Sequence, residues 1–164
     1  MRIVMFYHSL ISDWNHGNAH FLRGIATELL SRGHRVEIYE PLNGWSRQML
    51  LQTEGRDFLT EFHSVYPALT SRRYILSELN LDQTLDEADL VLVHEWNEPQ
   101  LVNRLAEHHR RNRHYLLLFH DTHHRSLSAP EQMRRFNLKL YDGVLAFGEC
   151  IRQMYLKNQW NPNV

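Results

Sequence analysis

A run of apolar residues stops abruptly in a string of ionisable ones: Y-L-L-L at residues 115–118 passes into F-H-D-T-H-H at residues 119–124. An uninterrupted apolar run this short fits a strand covered on both faces, and in an open parallel sheet such a strand ends at a carboxyl edge, where ligands bind. The pattern recurs. Residues 90–93 lead into H-E-W-N at 94–97, residues 2–6 lead into a polar loop ending at Gly17, and residues 143–147 lead into Gly148 and Glu149. Four predicted strand ends therefore carry polar or ionisable groups.

Between these runs the apolar spacing becomes helical. Leu22, Ile25, Ala26 and Leu29 recur along residues 18–31, and Gly33 stands where a left-handed helix terminus would place it. Residues 35–39 alternate Val36 and Ile38 with charged neighbours and predict a second strand, ended by Pro41. Residues 46–59 predict a helix interrupted at Gly55, residues 62–66 a short third strand before Pro67, and a further helix carries Tyr74, Ile75, Glu78 and Leu79, with Leu85 in a later turn. Pro99 opens a helix with Leu101, Val102, Leu105 and Ala106 on one face. Ser128 and Glu131 form an S-x-x-E capping box around Pro130, opening a helix with Met133, Phe136 and Leu140 on one stripe. The last strand leads into a helix carrying Ile151, Met154 and Tyr155.

Strands alternating with helices imply an α/β fold, and right-handed crossovers make a doubly wound, Rossmann-like parallel sheet with helices on both faces the default. At 164 residues the expectation is one domain spanning residues 1–164. In the usual strand order the loop after Tyr7 and the H-E-W-N segment would flank the crevice at the switch point, with the F-H-D end beside it.

Charge and composition narrow the function. With 18 basic against 19 acidic residues there is no general field to attract nucleic acid or an anionic membrane. The basic cluster H-H-R-R-N-R at residues 108–113 reads as a solvated helix end. No apolar run approaches the roughly 20 residues needed to cross a bilayer, and the first residues lack the form of a signal peptide. The single cysteine, Cys150, reads as a small buried hydrophobe and suits a reducing compartment. A cytoplasmic protein is the expectation.

The loop of residues 8–17 holds Asp13 and Gly17 just before the helix that begins near Asn18, and a helix amino terminus with a glycine beside it suits a phosphate oxygen. The G-x-G-x-x-G spacing of a dinucleotide site is absent, as is a P-loop Gly-Lys-Ser or Gly-Lys-Thr. The plain structural alternatives are a turn whose Asn and Asp satisfy local backbone for this loop, a helix cap for His94 and Glu95, and dipole compensation for Glu149.

Taken in order, L-S-R-G-H-R-V-E-I-Y-E-P (30–41), A-D-L-V-L-V-H-E-W-N (88–97), L-L-L-F-H-D-T-H-H-R (116–125) and D-G-V-L-A-F-G-E (142–149) resemble the amino-terminal domain of retaining GT-B glycosyltransferases, especially bacterial family 4 members and the CgeB-like group. Residues 48–85 match least. The resemblance implies transfer from a nucleotide sugar to an acceptor hydroxyl, with no cofactor beyond the donor and no essential metal. It places His120 and Asp121 in catalytic roles, and Gly17, Asn18, Asp13, His94, Glu95, Asn97, His123 and Glu149 in substrate binding. It also implies a second, nucleotide-binding domain. The chain ends at Val164, so the expectation is an isolated domain, weak or inactive alone and open to self-association.

Two other readings stand beside it. His94, Glu95, His120, Asp121, His123 and His124 supply enough ligands for a zinc- or manganese-dependent hydrolase, although adjacent His123 and His124 would point apart if extended. A non-catalytic, flavodoxin-like binding module is the third.

Overall fold

The computed structural model describes residues 1–8, 10–12, 17–54 and 57–164. Within it the chain is α/β and Rossmann-like: six strands alternate with helices, and the strands of each unit pair in parallel. It divides into two compact units, Met1–Leu79 and Asn80–Val164. Rossmann-like domains are built from two such strand–helix halves. No helix among the described residues is long and apolar enough to cross a membrane.

The first unit contains β1 (Arg2–Phe6), α1 (Gly17–Ser31), β2 (Arg35–Pro41), α2 (Trp45–Thr53), α3 (Asp57–Val65) and β3 (Ser71–Tyr74). β2 is its central strand, with Phe6 opposite Tyr39 and Pro41 opposite Tyr74. Helix α1 ends as the sequence predicts. Gly33 has φ 78°, its N–H donates to the Leu30 carbonyl, and the His34 N–H reaches back to Leu29, the paired bonds of a Schellman terminus.

The third strand lies elsewhere than expected. Residues 62–65 continue α3, because Phe58 and Phe62 stand four apart on its buried face, and Phe62 reaches Tyr66 just beyond its end at 5.4 Å between ring centroids. The strand is instead S-R-R-Y, which has no apolar run. Side chains of β2 hold it: Ser71 donates to the Glu40 carboxylate, and Arg72 lies 3.4 Å from Glu37 and over the Tyr39 ring. Tyr74 is therefore in a strand, and the helix expected around it is absent, with a turn at residues 75–78.

The second unit contains α4 (Leu81–Leu85), β4 (Leu90–His94), α5 (Pro99–Arg111), β5 (Leu116–Asp121), α6 (Arg125–Ser128), α7 (Pro130–Met133), a 3-10 turn (Leu138–Leu140), β6 (Gly143–Ala146) and α8 (Glu149–Asn158). β5 is central, pairing His94 with His120 on one side and Asp121 with Ala146 on the other. Val91, Val93, Leu117 and Phe119 are fully buried, as continuous apolar strands of a covered parallel sheet should be.

Three further expectations are corrected. The capping box around Pro130 does not form, since Ser128 bonds His124, and the predicted helix shrinks to the single turn α7 followed by the 3-10 turn. His108 and His109 are buried, not solvated: His108 bonds Tyr115 at 2.8 Å and Asp82 at 3.1 Å, and His109 lies 3.0 Å from Asp142. Cys150 is exposed.

Candidate functional site

The parallel register brings the carboxyl ends of β4 and β5 level, so His94 and His120 are neighbours with ring centroids 5.4 Å apart. The Glu95 N–H donates to the His120 carbonyl at 3.0 Å, carrying the ladder one residue further. Successive side chains leave a strand on opposite faces. Asp121 therefore leaves β5 on the face opposite His120, while Glu95, in the turn after β4, reaches the same Thr122 hydroxyl that His94 bonds. His94, Glu95, Asn97, His120 and Asp121 are all buried at or just beyond the ends of β4 and β5, four of them ionisable.

Each is held by short-range bonds. His94 shares a 3.2 Å bond between Nε2 and Thr122 Oγ1, while Asn97 Nδ2 donates to the His94 carbonyl at 2.9 Å. Asp121 is more tightly fixed: Oδ2 accepts the Tyr155 hydroxyl of α8 at 2.8 Å and Oδ1 accepts the His123 N–H at 3.1 Å. Glu95 is poorly served. Its Oε1 is 3.5 Å from the Thr122 hydroxyl, and its Oε2 is buried without a hydrogen-bond partner among the described residues.

Burial sets the protonation states. Removal from water pushes Glu95 up to about 8, the Asp121 charge adds to this, and the Arg125 cation opposes it. Burial alone pushes His120 down to about 4. Asp121 is raised by burial, against the pull of the His123 N–H and the Tyr155 hydroxyl, and Tyr155 is raised by burial and by the Asp121 charge. At neutral pH the edge therefore presents an imidazole held firmly neutral and a glutamic acid that keeps its proton, the reverse of a glutamate's ordinary charge.

Beside this buried group lies an accessible shelf. Trp96 is 44% exposed, the Arg125 guanidinium sits 4.5 Å from its ring centroid, and the His123 ring meets it edge-on at 5.1 Å. His123 and His124 stack at 4.0 Å, and burial lowers the pKa of His123, with the neighbouring cations adding to it.

Within this unit, one expected residue does not join the group. Glu149 is exposed, and its carboxylate is taken by Arg152 and Gln153 of its own helix, which hold its pKa below the usual range. Gly17 and Asn18 begin α1 in the first unit, where Gly17 has open space around its Cα. Asp13 lies outside the described residues. Conversely, sequence reasoning gave no site role to Tyr155, Thr122 or Arg125. Tyr155 was hidden on the apolar stripe of α8 with Ile151, where nothing local marks its hydroxyl as an acid's partner. Arg125 and Thr122 adjoin the histidine run and could have been found there.

Among the described residues no group of three or more His, Cys, Asp or Glu side chains is arranged to hold a metal ion. Comparison with protein-family models, with curated proteins and with solved structures returns no match for this chain.

Proposed function

We propose that the chain is the amino-terminal, acceptor-side domain of a glycosyltransferase, contributing His120 and its surroundings to transfer of a glycosyl group from a nucleotide sugar to an acceptor hydroxyl, with retention of configuration. The observation that carries this reading is His120 itself, an imidazole at a parallel strand's carboxyl end that burial keeps neutral at physiological pH. A neutral imidazole can hydrogen-bond a sugar hydroxyl near the reacting carbon without placing a second cation there as positive charge develops on the sugar. Asp121 then acts as a positioning residue: both its oxygens are engaged and it is fully buried, so it orients the β5 end through the His123 backbone and Tyr155. Exposed Trp96, backed by Arg125, offers a flat apolar surface for a sugar ring. Asn97, His94 and Glu95 shape the floor. A cytoplasmic location suits such a donor.

The metal-dependent hydrolase has less support, since among the described residues no three or more His, Cys, Asp or Glu side chains are arranged to hold a metal ion. A non-catalytic binding module remains an outcome of the test. Nucleoside diphosphate release from UDP-, GDP-, ADP- and TDP-sugars by the gene product as encoded, with and without sugar acceptors, is the assay. Replacing His120 by Ala should lower release at least roughly a hundredfold with an unchanged circular dichroism spectrum. Wild-type rates in that variant would remove its role, and donor binding without turnover would favour the binding module.

A further inference from the structure

Away from the β4 and β5 ends, the second unit carries a concavity of about 500 Å³ lined by Asn103 of α5, the segment 134–139, and Asn158, Gln159 and Trp160 at the end of α8. Arg134, Arg135 and Lys139 contribute three cations to its wall, and no carboxylate lines it. We propose that this concavity is a binding site for a small phosphorylated molecule, whose clustered phosphoryl oxygens meet the three cations while the rest of the ligand lies against Trp160 and the side-chain amides.

Three observations support the assignment. The first is charge. Several exposed arginines elsewhere are occupied by carboxylates of their own helices, as with Arg32 and Glu28, Arg110 and Glu107, and Arg152 and Glu149. Arg134, Arg135 and Lys139 have no such ion pair among the described residues, and this in a chain whose net charge is −1. Three uncompensated cations around one hollow repel each other, and a multiply charged anion relieves that repulsion.

The second is rigidity. The cation-bearing segment is not a loose loop, because Asn103 Nδ2 donates to the Arg135 carbonyl at 2.9 Å and Asn103 Oδ1 accepts the Asn137 N–H at 2.7 Å. Buried Asn161 fastens the other side, donating to the Leu138 and Tyr141 carbonyls at 2.8 and 2.9 Å. The opposite wall turns through Gln159, a non-glycine residue at φ 55°, and Trp160 packs edge-on against buried Tyr155 at 5.3 Å. A site held open in this way loses little freedom when a ligand enters.

The third is size and shape. Its volume falls within the range of small-molecule sites, and a concave wall suits a compact ligand better than a flat lipid surface. The assignment is independent of the transferase reading.

The probe is inorganic pyrophosphate, followed by isothermal calorimetry and by the indole N–H resonance of Trp160, assigned by its loss in Trp160→Phe. Wild-type protein should bind with a Kd below about 1 mM and shift the Trp160 resonance. The triple variant Arg134→Gln, Arg135→Gln, Lys139→Gln, whose three positions are exposed, should bind at least tenfold more weakly with an unchanged circular dichroism spectrum. The control Arg110→Gln, Arg111→Gln removes two cations at the end of α5 and should leave affinity unaltered. ADP as a second ligand should bind more tightly than pyrophosphate if the indole and amides contribute. No Trp160 shift, equal affinity in the triple variant, an equal loss in the control, or response only to vesicles containing anionic lipid would each overturn the proposal.

Discussion

Glu95 makes folding itself a proton-uptake reaction, and replacing it by glutamine isolates that effect. An ordinary glutamate gives up its proton near pH 4.5, whereas burial and the Asp121 charge carry Glu95 to about 8. Between those values the folded chain holds a proton that the unfolded chain has lost. The sign follows: a carboxyl raised on folding favours the folded state most below its unfolded pKa, and this contribution declines as pH rises, levelling off above about 8. Each pH unit across the window is worth about 1.4 kcal/mol per proton, which caps the whole effect at about 5 kcal/mol. Asp121 is raised beside it and the pair titrates jointly, so about 2–4 kcal/mol is the expected share. Glutamine copies the protonated form at every pH. Glu95→Gln should therefore match wild type near pH 5 and become more stable than it by that amount near pH 8. Urea denaturation followed by far-ultraviolet circular dichroism, at half-unit steps from pH 5 to 8.5, gives the difference curve, in which unrelated titrations cancel. A flat difference, or one favouring wild type as pH rises, would show that Glu95 is charged in the folded protein and that the protonation pattern of the edge is wrong.

Two other changes test the supports of each unit. Tyr155→Phe keeps the ring against Trp160 but removes the hydroxyl given to buried Asp121; leaving that buried carboxyl oxygen without its partner predicts a loss of about 1–3 kcal/mol, and a urea midpoint equal to wild type would refute it. Fully buried Arg23 donates to the Leu10 and Ser12 carbonyls at 2.9 and 2.7 Å and lies over the Phe62 and Tyr66 rings. Arg23→Met would orphan two buried acceptors, costing about 2–6 kcal/mol, and proteolysis within the β1–α1 loop should accelerate; unchanged cleavage there would mean that the guanidinium does not hold that loop.

Five of the six strands were legible because their own residues demand burial: an apolar run such as residues 90–93 has no stable exposed conformation. β3 was not legible, since S-R-R-Y becomes a strand through Glu37, Tyr39 and Glu40 on β2, partners 31 to 35 positions away. The helix expected after Pro130 failed for a similar reason. Pro130 does open a helical turn, but Asn103 on α5 takes the Arg135 carbonyl and the Asn137 N–H, the groups a continued helix would have used internally. At the site the division is the same. That His94, Glu95, His120 and Asp121 sit at a strand edge could be read from where the apolar runs stop. Their charge states could not, because these depend on depth, on Arg125 and on Tyr155, 34 positions beyond Asp121. A change on α8 that leaves β4 and β5 untouched should therefore alter the acid–base character of the edge while leaving every residue there in place, and Tyr155→Phe, which removes only the hydroxyl given to Asp121, is the smallest such change.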